Sequence, residues 1–526
     1  PCGGQGRCGQ CAVQVTSGNV RRRSTMRLSS EDVENGYAIA CQAVVEGDLD
    51  VIVPPQEKIQ QRLTTGHTAA EVTVPSGYDH LEHQSLQRLA LTLKPPTMED
   101  QTSDWARLKT SLLQETGFKD ITASLAVLQK MPLVLREEDW KVSAIIYFED
   151  HSGVAELIDL LPGLVTDDTP LWGAAVDIGT TTVKVMVVDL ISGEARGQAS
   201  EYNAQIARGE DVISRIIFAG KGSGDQTLRA LVLETINELI LRASKRAKAD
   251  PEKIYKTVLA GNSTMIHLLL QIPPASIRLA PYITVANHIP DLSARELGID
   301  AFPSGKVICL PGVASYVGSD ISAGVLSSGM SETEKITLFL DVGTNGEMVL
   351  GSNEWLVTCA CSAGPAFEGA GVLHGMRATT GAIDEVWINN DTYEASWRVI
   401  GGEKPKGLCG SALISLLAEL LMTGIINKSG RFDFSLDSSR IRKGSHGGEY
   451  VVCWGAESDS GEDIMLTEVD IDNLMRAKAA IYAGFAVLGE SVGVPLEMAE
   501  QVLIGGSFGK YINVEKAVEI GLLPDM

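Results

Sequence analysis

A short motif occurs twice in this chain of 526 residues, and the duplication constrains the fold more than any other sequence feature. Segments 174–182 and 338–346 each contain an apolar, strand-like run followed by Asp, an apolar residue, Gly and Thr. A polar turn and a second apolar run follow in both copies, after Asp177 and Asp341. Repetition of one supersecondary unit at this separation predicts two similar lobes that face each other.

The turn in each copy carries residue types that bind phosphate and a hydrated magnesium ion. Glycine lets backbone amides approach phosphate oxygens, and Thr, Asn and Lys side chains add donors. A carboxylate at a strand end suits Mg²⁺, which keeps most of its waters in proteins. We therefore predict Asp177 and Asp341 as the catalytic, cation-binding carboxylates. The residues predicted to contact nucleotide are Gly179, Thr180, Thr181, Thr182, Lys184, Gly343, Thr344 and Asn345.

Two further segments complete the predicted nucleotide site. An apolar run ends in Gly505, Gly506 and Ser507, where a flat adenine and its ribose can lie against bare backbone. Segment 318–324 is interpreted as a hinge helix between the lobes, with Asp320 as a third acid. No G-x4-G-K-[ST] sequence occurs, which argues against a P-loop fold. In this order the motifs resemble the ATPase superfamily of sugar kinases, heat-shock chaperones and actin, which implies ATP binding in an actin-like (ribonuclease H-like) fold.

Four cysteines lie in the first 41 residues and suggest an iron–sulfur cluster. Cys2, Cys8 and Cys11 have the spacing C-x5-C-x2-C, and Cys41 follows at a distance. Four thiolates suffice for a [2Fe–2S] cluster, whereas zinc sites favour two close pairs and only one is present. Free thiols are the other alternative. The segment resembles ferredoxins, although strands precede the first cysteine in that fold, so the chain is expected to be cut at its start.

Composition limits the partners and the compartment. A net charge of −23 argues against nucleic acid as a partner, because a phosphate backbone would be repelled. The longest nearly apolar stretch, 413–426, is too short for a membrane span and predicts a core helix. Scattered cysteines do not form a secreted disulfide framework, which favours the cytoplasm. Arg21, Arg22, Arg23 and Arg27 form a basic patch, either a solvated hairpin or a docking surface for an acidic redox partner.

Three other motifs are given structural interpretations. Segment 369–375 has the spacing G-x-G-x3-G without a clean preceding strand, so a tight turn lining the cleft is favoured over dinucleotide binding. His267 and His374 are interpreted as local hydrogen-bonding residues. Cys359 and Cys361 lack further ligands nearby and are interpreted as buried thiols.

Over essentially its whole length the chain resembles the reductive activators of corrinoid proteins. The resemblance extends beyond the motifs above to segments 211–216, 261–267, 363–369 and 407–411. It implies a [2Fe–2S] cluster on the four cysteines, Mg²⁺ and ATP between the lobes, a corrinoid (cobalamin-binding) protein as partner and an upstream electron donor. It also implies a homodimer and a chain that continues beyond residue 526. In that family ATP assists the return of inactive Co(II) corrinoid to Co(I).

The expected architecture is multidomain, combining α/β and α+β units. We expect an N-terminal [2Fe–2S] ferredoxin-like β-grasp fragment at 1–53, a linker at 54–75 and a middle α/β domain at 76–170. A two-lobed actin-like ATPase domain should occupy 171–526. Three alternatives remain. The first is a small-molecule kinase of the same fold with a redox module, and the second is an activator of acyl-CoA dehydratases. The third is a non-enzymatic binding module in which ATP only sets the shape of the protein.

Overall fold

The computed structural model describes most of the chain, and several predicted site residues lie outside the described part. The described residues are 11–25, 28, 30–53, 72–149, 153–343, 345–369, 371–445, 447–506 and 512–524. Cys2, Cys8, Arg27, Thr344 and Ser507 lie outside these ranges, as does most of the predicted linker 54–75.

The first unit consists of short strands joined by tight turns. Its elements are β1 (Ala12–Ser17), β2 (Val20–Arg22), α1 (Ser30–Glu34), β3 (Tyr37–Ile39), β4 (Ala43–Val45) and β5 (Asp50–Ile52). β1 is the central strand of an antiparallel sheet ordered β3–β1–β5, and β2 pairs with β4. β5 lies in the alternating run 48–53, whose pattern of polar and apolar residues is typical of a strand.

The second unit is a four-stranded sheet with helices on one face. Its elements are α2 (His80–His83), β6 (Leu86–Thr92), α3 (Asp104–Thr116), β7 (Asp120–Ala123), α4 (Leu125–Glu137), β8 (Lys141–Phe148) and β9 (Val154–Pro162). The strand order is β6–β8–β9–β7, and only β7 and β9 are parallel. Ser103 and Ser124 cap α3 and α4, because each hydroxyl accepts a backbone N–H of the first turn.

Both faces of this sheet are buried. Alternate residues of β8 such as Ala144 and Ile146 pack with α3 and α4. Ile145 and Tyr147 point the other way and pack with Tyr255 of the third unit. The apolar side chains on both faces of β8 therefore join the second unit to the third.

The third unit, which we call the first lobe, is a six-stranded sheet with helices. Its elements are β10 (Trp172–Ile178), β11 (Thr182–Asp189), β12 (Ala195–Tyr202), α5 (Val212–Ala219), α6 (Gly224–Ala247), β13 (Ile254–Gly261), α7 (Ser263–Leu269), β14 (Leu292–Ser293), α8 (Ala294–Leu297), β15 (Lys306–Cys309) and α9 (Ser319–Ser328). The strand order is β12–β11–β10–β13–β15–β14.

The fourth unit, the second lobe, contains three small sheets and three helices among its described residues. Its elements are β16 (Thr337–Val342), β17 (Gly346–Gly351), β18 (Leu356–Cys361), β19 (Ala382–Ile388), β20 (Ala395–Val399), β21 (Gly407–Leu408), α10 (Gly410–Met422), β22 (Ile441–Gly444), β23 (Gly447–Cys453), β24 (Ile464–Thr467), α11 (Glu468–Val492), β25 (Gln501–Gly505) and α12 (Val514–Glu519). Its sheets are ordered β18–β17–β16–β25, β20–β19–β21 and β22–β23–β24.

The two lobes repeat one topology, as the duplicated motif predicts. In the first lobe β10 and β11 form an antiparallel hairpin, and β13 lies parallel to β10. In the second lobe β16 and β17 form the hairpin, and β25 lies parallel to β16. The third strands, β12 and β18, occupy the same edge in both. The two-lobed actin-like architecture is therefore confirmed.

The long helices of the second lobe follow their sequence signals. Nearly every residue of α10 is buried, which confirms the core helix predicted around 413–426. α11 begins with the capping box that Thr467 and Asp470 form. Among the residues that the structure describes, no helix is long and apolar enough to cross a membrane.

Candidate functional site

The turn of the first motif, predicted to bind phosphate and called the first phosphate turn below, connects β10 to β11 and requires glycine at residue 179. The Gly179 amide donates to the Thr182 carbonyl at 3.0 Å, and a Cβ at residue 179 would lie 2.5 Å from that oxygen. Two side chains that the sequence analysis did not single out hold the turn. Asn203 Nδ2 donates to the Gly179 carbonyl at 2.9 Å, and the Arg215 guanidinium donates to the Thr180 carbonyl.

Arg215 is fully buried, and its other donors are also used. Its Nε donates to the Gly209 carbonyl at 2.8 Å and its Nη1 to Gln205 Oε1 at 3.0 Å. Burial lowers its pKa to about 9, so the guanidinium remains charged at neutral pH. The sequence signal was the position of Arg215 within the apolar helix α5. Burying a charge is costly unless hydrogen bonds satisfy it, so this arginine indicates a buried polar contact.

The second phosphate turn connects β16 to β17 in the same way. The Gly343 amide donates to the Asn345 carbonyl at 2.8 Å. A Cβ at Gly343 would meet Glu368 Oε1 at 3.6 Å, an ordinary contact distance. Glu368 also accepts a hydrogen bond from the Thr181 hydroxyl at 3.1 Å, so this carboxylate of the second lobe reaches the first phosphate turn. The space between the two turns is called the cleft below.

The three predicted acids meet at the cleft. Burial raises the pKa of Asp341 to about 6, with the negative charge of Asp177 next in importance. Burial also raises the pKa of Asp320 to about 7, followed by the charges of Asp341 and Asp177. Part of the Asp177 side chain is accessible to solvent, but protein surrounds the carboxyl group on most sides. This burial raises the pKa of Asp177 as well. Lys184, opposite Asp177 in the hairpin, opposes the shifts at Asp177 and Asp341.

Asp320 reaches the cleft because α9 begins against the end of β13. A Cβ at Gly318 would lie 2.4 Å from the Gly261 carbonyl, so glycine permits the close approach. The Ser319 hydroxyl hydrogen-bonds both the amide and the carbonyl of Gly261 at 3.1 Å. Asp320 thus lies in the first turn of α9, a helix of ten residues. This turn is next to β13, the strand that pairs with β10 and so lies beside Asp177.

A fourth acid, Glu347, was missed by the sequence analysis. It faces Asp341 across the β16–β17 hairpin and is 7 % exposed. Burial raises its pKa well above the usual value, and the charges of Asp320 and Asp341 raise it further. A charged residue within the otherwise apolar run that follows the second motif was the available signal.

The cleft carboxylates suit a hydrated cation better than a dehydrated one. Among the described residues, no three His, Cys, Asp or Glu side chains converge as a metal-binding group. Burial, together with repulsion between neighbouring acids, nevertheless raises the pKa of Asp320 and Asp341, and a nearby divalent cation would favour their ionised forms. A Mg²⁺ ion that keeps most of its waters and contacts one or two of these carboxylates fits this arrangement.

The glycine pair after β25 has a packing role next to these acids. Gly505 pairs with Asp341 in the sheet, and a Cβ there would lie 2.9 Å from Phe339 Cζ. Gly506 has φ +75°, and its Cβ would lie 2.7 Å from Asp341 Oδ1. A side chain at either position would therefore collide with Phe339 or Asp341 of the same lobe. Contact between these glycines and adenine stays a prediction.

Two of the four predicted cluster ligands lie close together in the first unit. Cys11 comes just before β1, and Cys41 lies in the turn after β3. The Ala40 amide donates to the Cys11 carbonyl at 2.9 Å, so the backbone brings these two segments together. Cys41 is exposed and Cys11 partly so, which leaves them accessible to a cluster.

His267 has the hydrogen-bonding role predicted for it, whereas Cys359 and Cys361, predicted as buried thiols, are only partly buried. His267 is buried, with Nδ1 at 2.7 Å from the Ser263 carbonyl and Nε2 accepting the Val285 amide at 3.1 Å. Cys359 donates to the Gly484 carbonyl at 3.6 Å. Burial raises the pKa of Cys361 to about 12, so this thiol stays protonated at neutral pH.

Four family descriptions match consecutive parts of the chain. Residues 1–46 match the 2Fe-2S iron-sulfur cluster binding domain. Residues 83–167 match the RACo linker region, residues 172–333 the RACo middle region, and residues 335–526 the C-terminal domain of RACo, the ASKHA domain.

Individual proteins are similar over most of the chain. The corrinoid activation enzyme RamQ of Eubacterium limosum is 32% identical, over 99% of this chain and 83% of that protein. The [Co(II) methylated amine-specific corrinoid protein] reductase of Methanosarcina barkeri is 24% identical, over 67% of this chain and 66% of that protein. A solved structure described as a reductive activator for corrinoid, iron-sulfur protein superposes with a TM-score of 0.78 at 42% identity, covering 100% of this chain and 84% of that one.

Proposed function

This chain belongs to the RACo family, and we propose from this premise that it is an ATP-dependent reductive activator that returns Co(II) corrinoid protein to Co(I). The observation that carries the proposal is the combination, in one chain, of a [2Fe–2S] domain and a two-lobed cleft crowded with carboxylates. The first provides a one-electron carrier and the second a site for a charged nucleotide. Neither feature alone would distinguish an activator from a ferredoxin or a kinase.

In the first unit, Cys2, Cys8, Cys11 and Cys41 would hold the cluster. When bound, a [2Fe–2S] cluster supplies reversible one-electron transfer. The backbone contact between residues 11 and 40 and the exposure of Cys41 support a cluster near the surface, where an electron donor and a corrinoid protein can approach. The electron itself comes from an upstream low-potential donor.

In the cleft, the phosphate turns of the two lobes would bind the phosphates of ATP. Gly179, Thr180, Thr181, Thr182 and Lys184 would act from the first lobe. Gly343, Thr344 and Asn345 would act from the second lobe, and Gly505, Gly506 and Ser507 would lie against the nucleoside. Asp177, Asp341 and Asp320 would hold Mg²⁺ through its waters, with Glu347 behind Asp341. Arg215 and Asn203 position the first turn without touching nucleotide.

ATP would act on cobalt by linkage between lobe closure and partner binding. Each lobe contributes one phosphate turn, so a triphosphate favours the arrangement in which both turns reach it. A corrinoid protein that binds this arrangement more tightly is coupled to ATP: each of the two strengthens the binding of the other by the same factor. Docking would then change the environment of the cobalt. Because the second unit packs tightly on the first lobe, it would move with that lobe.

Other parts of the proposal concern organisation. We assign the ferredoxin-like domain to 1–53, the linker to 54–75, the middle domain to 76–170 and the ATPase domain to 171–526. The family matches begin and end near the boundaries at 53, 76 and 171, although their descriptions call 83–167 the linker region and 172–333 the middle region. The family resemblance supports a homodimer, and the scattered cysteines support a cytoplasmic location.

The test is an anaerobic reduction assay with a corrinoid protein poised as Co(II). Iron-loaded protein, a low-potential reductant and the corrinoid protein are mixed with or without Mg-ATP, and the visible spectrum is followed. We expect the Co(I) band to appear with ATP and to be absent without it, with free phosphate as product. Equal formation of Co(I) without ATP would refute the proposal. Phosphate transferred to a small acceptor would indicate a kinase.

A further inference from the structure

A glycine-rich loop of the second lobe, residues 369–377 apart from residue 370, brings two charged side chains together at the cleft. A Cβ at Gly369 would lie 2.6 Å from the Met376 amide nitrogen, and a Cβ at Gly375 would lie 2.1 Å from the Gly369 carbonyl. Backbone therefore packs directly on backbone where the loop closes. This closure places Glu368, just before the loop, beside Arg377 at its end, and the charge of Glu368 acts on Arg377.

The loop is fixed to the body of the second lobe. The Leu373 amide donates to Asp470 Oδ1 at 3.0 Å, and Asn473 Nδ2 donates to the Gly371 carbonyl at 3.0 Å. Both partners belong to α11, a helix of 25 residues whose apolar face packs into the core of the lobe. Glu368 and Arg377 are thus held at the cleft by a rigid element.

Arg377 crosses from the second lobe to the first phosphate turn. Its guanidinium carbon lies 4.1 Å from the centroid of the Tyr202 ring, a close cation–π contact. Tyr202 ends β12 and pairs with Thr182 in the sheet, and the amide of the next residue, Asn203, donates to the Thr181 carbonyl at 2.9 Å. Tyr202 is therefore a neighbour of the turn that would bind phosphate.

The arginine lacks an acceptor for one buried donor. Its Nη1 is shielded from solvent and has no hydrogen-bond partner. Burial lowers the pKa of Arg377, and Tyr202 and the charge of Glu368 offset only part of that shift. A buried guanidinium donor without an acceptor is costly, and an anionic oxygen would satisfy it. Phosphate is the anion that matches this location and the planar geometry of a guanidinium.

We propose that Arg377 binds the phosphate chain of the nucleotide from the second lobe, with the Tyr202 ring of the first lobe as its platform. This proposal depends on the proposed ATP site and names a residue that neither phosphate motif contains. Because the loop is part of the second lobe and the platform is part of the first, a phosphate bound by Arg377 would favour the closed arrangement of the lobes.

The test compares nucleotide binding by the full iron-loaded chain and by its Arg377→Gln and Arg377→Lys variants. Calorimetry with Mg-ATP and with adenosine measures affinity, and thermal unfolding measures stability with and without Mg-ATP. Arg398→Gln is the matched control, because Arg398 is a mostly exposed arginine of the same lobe, where it pairs with Asp384 instead of facing the cleft.

We expect Arg377→Gln to weaken Mg-ATP binding about 10- to 100-fold, as for the loss of a hydrogen bond to a charged group, and to leave adenosine binding unchanged. Arg377→Lys should recover part of the loss, and Arg398→Gln should match wild type. The unfolding temperature without nucleotide should stay the same in Arg377→Gln, whereas the shift produced by Mg-ATP should shrink.

Two results would overturn the inference. One is wild-type affinity for Mg-ATP in Arg377→Gln. The other is a lower unfolding temperature without nucleotide together with equal losses for ATP and adenosine, which would indicate a structural role. If wild-type protein itself bound no Mg-ATP, the proposed nucleotide site would fail first, and the inference with it.

Discussion

The first lobe has two charged interfaces, one with the second unit and one with the second lobe, and they are built differently. At the second unit, Asp159 is 2 % exposed and accepts hydrogen bonds from Lys130, the Leu160 amide and the Tyr255 hydroxyl, the last at 2.9 Å. Lys306 pairs with Glu156 at 2.7 Å across the same interface. Each of these charges has a partner of opposite sign or a hydrogen-bond donor.

At the cleft negative charges predominate. Burial raises the pKa of Asp177, Asp320, Asp341 and Glu347, and the charges of neighbouring acids raise it further at the last three. Lys184 opposes the shifts at Asp177 and Asp341. A compensated interface stabilises the fold, whereas an uncompensated one costs stability until a ligand arrives. The interface between the second unit and the first lobe, around Asp159 and Lys306, is called the fixed joint below. Its charges are paired, whereas those of the cleft await a ligand.

The largest expected effect is that of Asp341→Asn on activity. Loss of this carboxylate should reduce ATP-dependent Co(I) formation by about 100- to 1,000-fold, the range found when one electrostatic contact to a reacting group is removed. Without nucleotide the variant should be more stable at pH 7, by about 1–3 kcal/mol, because a carboxylate with a raised pKa is no longer ionised there. Full activity in the spectral assay, or lower stability in urea unfolding, would contradict this expectation.

The opposite pattern is expected at the fixed joint. Asp159→Ala should lower the free energy of unfolding by about 2–4 kcal/mol, because Lys130 and Tyr255 lose a buried partner. Mg-ATP affinity of the folded fraction should remain that of wild type. Glu403→Ala, which removes an exposed partner of Lys406, is the control and should change stability by less than about 1 kcal/mol. A comparable loss of nucleotide affinity in Asp159→Ala would erase the distinction between the two interfaces.

The pH dependence of stability provides a smaller effect with a defined sign. Asp320 and Asp341 have pKa values raised to about 7 and about 6, above the ordinary value near 4 expected in the unfolded chain. Between about pH 4 and 7 the folded protein therefore binds more protons, and this stabilising contribution is lost as pH rises through 6 and 7.

Urea unfolding of wild type and Asp320→Asn without nucleotide, at pH 5.5 and pH 8, measures this contribution. From the lower to the higher pH, wild type should lose about 1–2 kcal/mol relative to the variant. A difference that is independent of pH would mean that Asp320 does not titrate in this range.

The smallest effect is expected for Glu368→Gln. Its carboxylate accepts from the Thr181 hydroxyl and adds negative charge near Asp341. Removing that charge should strengthen Mg-ATP binding about 2- to 5-fold, because phosphate enters a less negative cleft. Calorimetry beside Glu403→Gln provides the comparison, and weaker binding would show that Glu368 assists nucleotide instead of repelling it.

Local signals in the sequence were sufficient for the fold and for part of the site. The duplicated motif predicted the two hairpins because strand, Asp, Gly and Thr follow one another directly in the chain. Glu368 was not predicted, since it meets Thr181 from 187 positions away and only the folded arrangement of the two lobes brings them together. Arg377 was missed for the same reason, although the glycine-rich loop before it was recognised as a tight turn. Glu347 had a local signal, a charge in an apolar run, that was not used.

Proton release on binding of preformed Mg-ATP tests most directly whether the cleft is an incomplete cation–triphosphate site. Calorimetry at pH 7 in buffers of different ionisation enthalpy gives the number of protons. We expect release of about half a proton or more per nucleotide, because Asp320, with a pKa of about 7, is half protonated before the cation arrives. Asp320→Asn should release less. Zero release or proton uptake by wild type would contradict the assignment of these carboxylates to the cation.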